Sequence, residues 1–118
     1  MVRIVLALLA LLALSSPGWA QRAAEDAARH MAVARYYVGR GDHAGAINRL
    51  KHVVTQSPSS EHIEEALARL TEEYLALGIA REAQTTAAAL IRRFPDSPWA
   101  ARALRALAAA GLAPVEGR

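Results

Sequence analysis

The feature that most constrains this chain is its self-similarity. Shifted by 37 residues, the sequence falls on itself: Tyr37 on Tyr74, Gly41 on Gly78, Ala46 on Ala83, Pro58 on Pro95 and Ser60 on Ser97. Large apolar positions follow the same register, with Val33 on Leu70, and Val53-Val54 on Leu90-Ile91. A third, partial copy places Leu67 on Leu104 and Leu70 on Leu107, and stops at Gly111. Turn residues, small residues and large residues recurring together define a repeated structural unit. Such a unit cannot bury its apolar face alone and must stack on its neighbours.

Each unit reads as two helices. Ala27, Met31, Ala34 and Val38 lie on one face of a helix over 22–39, which Gly39 and Gly41 end. Asp42 caps a second helix over 43–56, with Ala46, Ile47, Leu50, Val53 and Val54 inward and Ser57-Pro58 as its stop. Ser59 or Ser60 caps the third, over 61–77, with Ile63, Ala66, Leu67, Leu70, Tyr74 and Leu77 inward. Gly78 separates it from a fourth over 80–93, which carries Ala83, Ala87, Leu90 and Ile91 inward and stops at Pro95. Ser97 caps the fifth, Pro98 takes the first helical position, and the helix runs to Ala110. No stretch alternates as a strand does. The 28 alanines and 5% aromatic content imply a core of closely approaching helices.

These landmarks resemble the tetratricopeptide repeat. That motif has an aromatic late in its first helix, a glycine turn, a small residue five positions on, and a closing proline. Here these are Tyr37, Gly41, Ala46 and Pro58, then Tyr74, Gly78, Ala83 and Pro95. The period exceeds the usual value of about 34, with the insertion between Pro58 and Leu67. The resemblance implies an all-α chain: a right-handed α-solenoid of about two and a half helix pairs, five helices in all. Two and a half repeats fall below the roughly three normally needed for a robust stack. Marginal stability is therefore expected, or else a partner or a second copy of the chain on the uncapped first repeat.

The wording of the repeats is more specific still. The segments RYY…RG, AINR, EALARL, YLALG and FPDSPW resemble the C-terminal repeats of the BamD family, periplasmic subunits of the machinery that inserts β-barrels into the bacterial outer membrane. The resemblance implies a non-catalytic adaptor that docks on the periplasmic domains of the barrel-inserting subunit. It also implies that Arg49, after Asn48 in the AINR segment, contacts a carboxylate of that subunit. Relatives are longer and carry a lipidated cysteine; this sequence has none. A secreted tetratricopeptide scaffold of another envelope or secretion complex, and a truncated remnant without independent function, are the alternatives.

The N-terminus reads as an export signal. Arg3 is the only charge before Arg22, and Ile4–Leu14 is unbroken apolar sequence. Breakers follow at Ser15–Gly18, with Gly18 and Ala20 small at the −3 and −1 positions. The apolar run is too short to span a bilayer, which needs about 20 residues. The expected organisation is a signal peptide over 1–20, a repeat domain over 21–111 and a disordered tail over 112–118. The expected location is the periplasm, peripheral to the outer membrane, without a membrane span in the mature form. Beyond the signal, thirteen basic residues face eleven acidic ones. That balance is too even for a nucleic-acid footprint.

Repeat register places Met31, Arg35 and Val38, then Glu65, Ala68, Glu72 and Leu75, then Arg102, Arg105 and Ala109 along one groove of first helices. Equivalent positions put Arg35 beside Glu72 and Glu65 beside Arg102. Those charges either bind an extended or helical partner, or satisfy one another between repeats. Glu64-Glu65 and Glu72-Glu73 read as a solvated face, with Glu65 and Arg69 an i,i+4 pair. His30, His43, His52 and His62 show no helical ligand spacing, so no metal and no cofactor are expected. No arrangement of nucleophile, base or phosphate loop points to an enzyme. Trp99 reads as packing, Tyr37 as core and Tyr36 as exposed. Mass spectrometry of protein recovered from the cell envelope should show a mature chain beginning at Gln21; an intact Met1 in that fraction would contradict the export reading.

Overall fold

The computed structural model describes residues 17–116. The expected signal peptide lies mostly outside the described residues, as do the last two positions of the expected tail. Five helices follow one another: α1 Gly18–Gly39, α2 His43–Gln56, α3 Ile63–Ala76, α4 Ala80–Arg93 and α5 Pro98–Ala109. No strand occurs among the described residues. Helix α1 packs on α2, α2 on α3 and α3 on α4, while α5 lies against both α3 and α4. This is the succession that stacked helix pairs require, and the fold is all-α and tetratricopeptide-like.

The turns are set by glycine. Gly41, Gly78 and Gly111 each have φ between +71° and +73°, in the left-handed region that other residues enter only at a cost. Around each, the same hydrogen bonds form. The amide after the glycine donates to a carbonyl five residues back: Asp42 to Tyr37, Ile79 to Tyr74 and Leu112 to Leu107, at 3.0, 2.8 and 2.9 Å. The glycine amide itself donates to the carbonyl three residues back. This closure satisfies carbonyls that a helix end leaves free. Gly111 therefore does in the third unit what Gly41 and Gly78 do in the first two, one helical turn early.

The starts of α2 and α5 are set by side-chain caps, with proline added in α5, whereas α3 and α4 have no side-chain cap. The Asp42 carboxylate accepts from the Gly45 amide at 2.9 Å, and Ser97 Oγ accepts from the Trp99 amide at 3.1 Å, with Pro98 first in its helix. Two starts differ from the sequence expectation. Helix α1 begins at Gly18 and not at 22, because nothing between Pro17 and Arg22 interrupts it. Helix α3 begins at Ile63 and not at 61: Ser60 Oγ accepts from the His62 amide at 3.0 Å, which closes a turn ahead of the helix. The residues that lengthen the repeat sit in that turn.

Two apolar cores flank α3. Met31 and Ala34 of α1, Ala46, Leu50 and Val53 of α2, and Ala66 and Leu70 of α3 form the first. Ile63, Leu67 and Ala68 of α3, Ala83, Ala87 and Leu90 of α4, and Ala100, Ala103 and Leu107 of α5 form the second. Tyr37 packs half-buried on the first core, and Tyr36 is exposed. Leu77 was expected inward and is exposed, because α3 ends at Ala76 and Leu77 falls in the turn before Gly78.

The segment after α5 is not a detached tail. Leu112 packs on the second core. Gln84 Nε2 donates to the Ala113 carbonyl at 2.9 Å, and Arg92 pairs with Glu116 at 2.7 Å. Apolar burial of Leu112 and these polar contacts hold residues 112–116 along α4. Disorder expected from composition gives way to local docking.

Gly78→Ala should destabilise the chain by about 1–2 kcal/mol through backbone strain alone, since nothing lies within 4 Å of the added Cβ. Gly39→Ala, at a helical φ and equally free of neighbours, should be neutral or stabilising by up to about 1 kcal/mol. Urea denaturation of both variants checks the contrast.

Candidate partner-binding surface

The charges of the first helices meet, but with different partners from those expected. Arg35 on α1 donates from Nε to Glu65 Oε1 at 2.8 Å and from a terminal nitrogen to Oε2 at 2.6 Å. Arg102 on α5 grips Glu72 of α3 in the same two-pronged way, at 2.7 and 2.9 Å. Both pairs are 30 residues apart in sequence, not 37. The expected pairs, Arg35 with Glu72 and Glu65 with Arg102, assumed that equivalent positions lie side by side. Each arginine thus reaches a carboxylate two helical turns away from the one that repeat register predicts.

Glu65 also accepts from Arg69 Nε at 2.8 Å, the i,i+4 contact expected on α3. With its side chain only 12% exposed and two guanidinium groups on its oxygens, its carboxyl is pushed down to about 2. The hydrogen bond from Arg35 is the main cause, and burial opposes it. The matching effect raises Arg35, and Glu72 raises Arg102. Trp99 joins the two pairs. The Arg102 guanidinium lies 5.2 Å from its ring centroid and that of Arg69 lies 5.7 Å away, both within cation–π range.

The groove is therefore a run of internal contacts from α1 to α5: Arg35, Glu65, Arg69, Trp99, Arg102, Glu72. Mutual satisfaction between repeats is the reading that the geometry favours. Met31 and Ala68 are fully buried and do not line the groove. Val38 and Leu75 are half-buried, while Arg105 and Ala109 are exposed. Among the described residues Arg105 makes no ion pair. Glu73, expected on a solvated face, is buried and holds His43 Nδ1 at 2.6 Å, which ties the start of α2 to the end of α3.

The other face of the first helix pair carries Asn48, exposed, and Arg49, half-buried. A terminal nitrogen of Arg49 donates to His30 Nδ1 at 3.3 Å. His30 in turn stacks on His52, with ring centroids 3.7 Å apart. Asp26 faces both rings, its oxygens 3.6 Å from His30 Nε2 and 3.2 Å from His52 Nε2. The hydrogen bond from His52 is the largest influence on the Asp26 carboxyl, which lies below the usual range. Burial, followed by the neighbouring His52, holds His30 below its ordinary value, so its imidazole favours the neutral form.

Sequence spacing missed this cluster because it looked for histidine pairs along one helix. His30 and His52 are on different helices, each eleven residues from Gly41. An antiparallel hairpin turning at Gly41 must bring them opposite each other, and counting outward from the turn is the signal that finds them.

Helix pairs closed by left-handed glycines, joined across their first helices by ion pairs, define a tetratricopeptide-like repeat protein. The family described as YfiO, outer membrane lipoprotein, matches residues 24–88, and the chain belongs to that family. It is 39% identical over 88 residues to the outer membrane protein assembly factor BamD of Caulobacter vibrioides, covering 75% of this chain and 29% of that protein. It is 34% identical over 79 residues to the BamD of Rickettsia prowazekii, covering 67% and 32%. Against the BamD of Neisseria meningitidis serogroup A it is 38% identical over 69 residues, covering 58% and 26%. The chain thus spans about a third or less of the length of the curated relatives it matches. No solved structure matches it significantly.

The depressed Glu65 carboxyl makes a pH prediction. A group held below its ordinary value adds stability that is full above about pH 4.5 and is lost as the pH falls towards about 2. Glu65→Gln should lower the unfolding free energy by about 1–2 kcal/mol at pH 7. The gap to the unsubstituted chain should close through that acid window. Urea titrations at pH 7, 4 and 2.5 measure it; a gap independent of pH would contradict the ion-pair account.

Proposed function

We propose that this chain is a non-catalytic periplasmic adaptor in the assembly of outer-membrane β-barrel proteins. It docks on the periplasmic domains of a barrel-inserting subunit through the outward face of α2. Membership of the family supports the setting, and the distribution of engaged charge supports the surface. The observation that carries the reading is that the groove arginines Arg35 and Arg102 are held by two and three hydrogen bonds to a neighbouring repeat. Detaching them for a partner would leave Glu72 unpaired, or Glu65 with Arg69 alone, and would weaken the stack.

Arg49 is held more lightly, by one bond to a neutral imidazole at 3.3 Å. An incoming carboxylate offers it a stronger, charge-assisted partner. Asn48 beside it is exposed and supplies both a donor and an acceptor. Residues 1–20 act as the export signal, and no helix among the described residues is long and apolar enough to cross a membrane.

Arg49→Leu should leave the helical circular dichroism spectrum unchanged and weaken capture of the barrel-inserting subunit at least tenfold, as expected when one member of a buried charge pair is truncated. Co-purification from detergent-solubilised envelope, with the variant and the unsubstituted chain in parallel, measures this. Undiminished recovery with Arg49→Leu would refute the assigned surface. Recovery of unrelated proteins only would refute the partner.

A further inference from the structure

Asp26, His30 and His52 meet where α1 lies against α2, and we propose that these three side chains form a binding site for a divalent transition ion of the zinc type. Their donor atoms all lie within 4.8 Å of one another. Both Nε2 atoms face the same carboxylate, at 3.6 and 3.2 Å from its two oxygens. Zinc bonds of about 2.0–2.1 Å in tetrahedral geometry put neighbouring ligand atoms about 3.3–3.4 Å apart. The donor atoms, within 4.8 Å of one another, must draw in to that edge, and the stacked His30 and His52 rings must turn apart so that their Nε2 lone pairs converge on the ion.

The donor set selects the ion. Two imidazoles and one carboxylate suit zinc, nickel or copper and are poor ligands for calcium or magnesium. Asp26 and His30 stand one turn apart on α1, and His52 comes from α2. An ion held by all three therefore clamps the first helix pair. All three side chains are half-buried, which leaves a fourth position open to water, as in three-ligand zinc sites.

The surroundings define what binding displaces. An arginine N–H can only donate, so His30 Nδ1 accepts from Arg49 and the imidazole proton sits on Nε2. An ion on Nε2 needs that lone pair. The proton moves to Nδ1, and Nδ1 then points a donor at the Arg49 guanidinium. The ion and the Arg49–His30 hydrogen bond exclude one another, so loading the site frees Arg49. Arg29, 3.4 Å from Asp26, is a second cation that the ion must compete with.

Zinc chloride alone, titrated calorimetrically into the full chain at pH 7.5 in a non-coordinating buffer, tests the site. Saturable one-to-one binding is expected, with a rise of roughly 5–10 °C in the thermal midpoint at about ten times the dissociation constant. His52→Gln should weaken binding at least tenfold. Asp26→Asn should do the same without touching the stacked rings. His62→Gln, outside the cluster, should bind as the unsubstituted chain does. Arg49→Leu should bind a few-fold more tightly, because a competing cation is gone. No saturable binding, binding that survives both Asp26→Asn and His52→Gln, or loss of binding in His62→Gln would each overturn the proposal.

Discussion

Helix α3 supplies apolar residues to two separate cores, on adjoining sides of its surface, and the rest of the structure follows from the need to bury both. Ala66 and Leu70 face the core shared with α1 and α2, while Ile63, Leu67 and Ala68 face the core shared with α4 and α5. An isolated helix pair would leave one of these sides in water. At roughly 25 cal/mol per Å² of apolar surface, that exposure is large against the small net stability of a domain this size. Neither core is rich in large side chains. Alanine at positions 34, 46, 66, 83, 87 and 103, all fully buried, lets the backbones close up and supplies packing by proximity. The two cores are joined through the half-buried Val54 and Tyr74, which touch both.

The ion pairs of the first helices act on this frame from outside. Each spans two repeats and adds a directional contact between successive first helices. Glu65 and Glu72 both project from α3, so the helix that organises the cores also organises the charges. Such pairs at a partly exposed surface contribute modestly in energy but are geometrically specific when bidentate. Arg69 and Arg102 over Trp99 extend the same run into the last helix.

Much of the fold was legible because its punctuation is chemical. Glycines that must take positive φ, an aspartate and a serine that cap, and prolines that forbid helix continuation give boundaries within a few residues. What could not be read depends on how helices tilt and offset in space. A linear repeat says that Arg35, Glu65, Glu72 and Arg102 belong to one surface, but not which carboxylate each arginine reaches. The same limit hid the Asp26, His30 and His52 cluster, which exists only across a hairpin. It also hid the buried state of Glu73, whose partner His43 lies on another helix. Residues 112–116 were misread for a related reason: their composition is that of a tail, and only the proximity of Gln84 and Arg92 on α4 gives them somewhere to dock.

Function, on this account, is a matter of which charges are already engaged. The groove side is closed by the chain's own pairs, and the outward face of α2 keeps an exposed asparagine and a lightly held arginine, the two residues that the proposed docking would use. Hydrogen–deuterium exchange of the complex with the barrel-inserting subunit's periplasmic domains tests that division most directly. Protection concentrated on α2 around Asn48 and Arg49, with the segments bearing Arg35, Glu65, Glu72 and Arg102 unchanged from the free chain, is the predicted footprint. Protection along those groove segments, with α2 exchanging as it does alone, would contradict it.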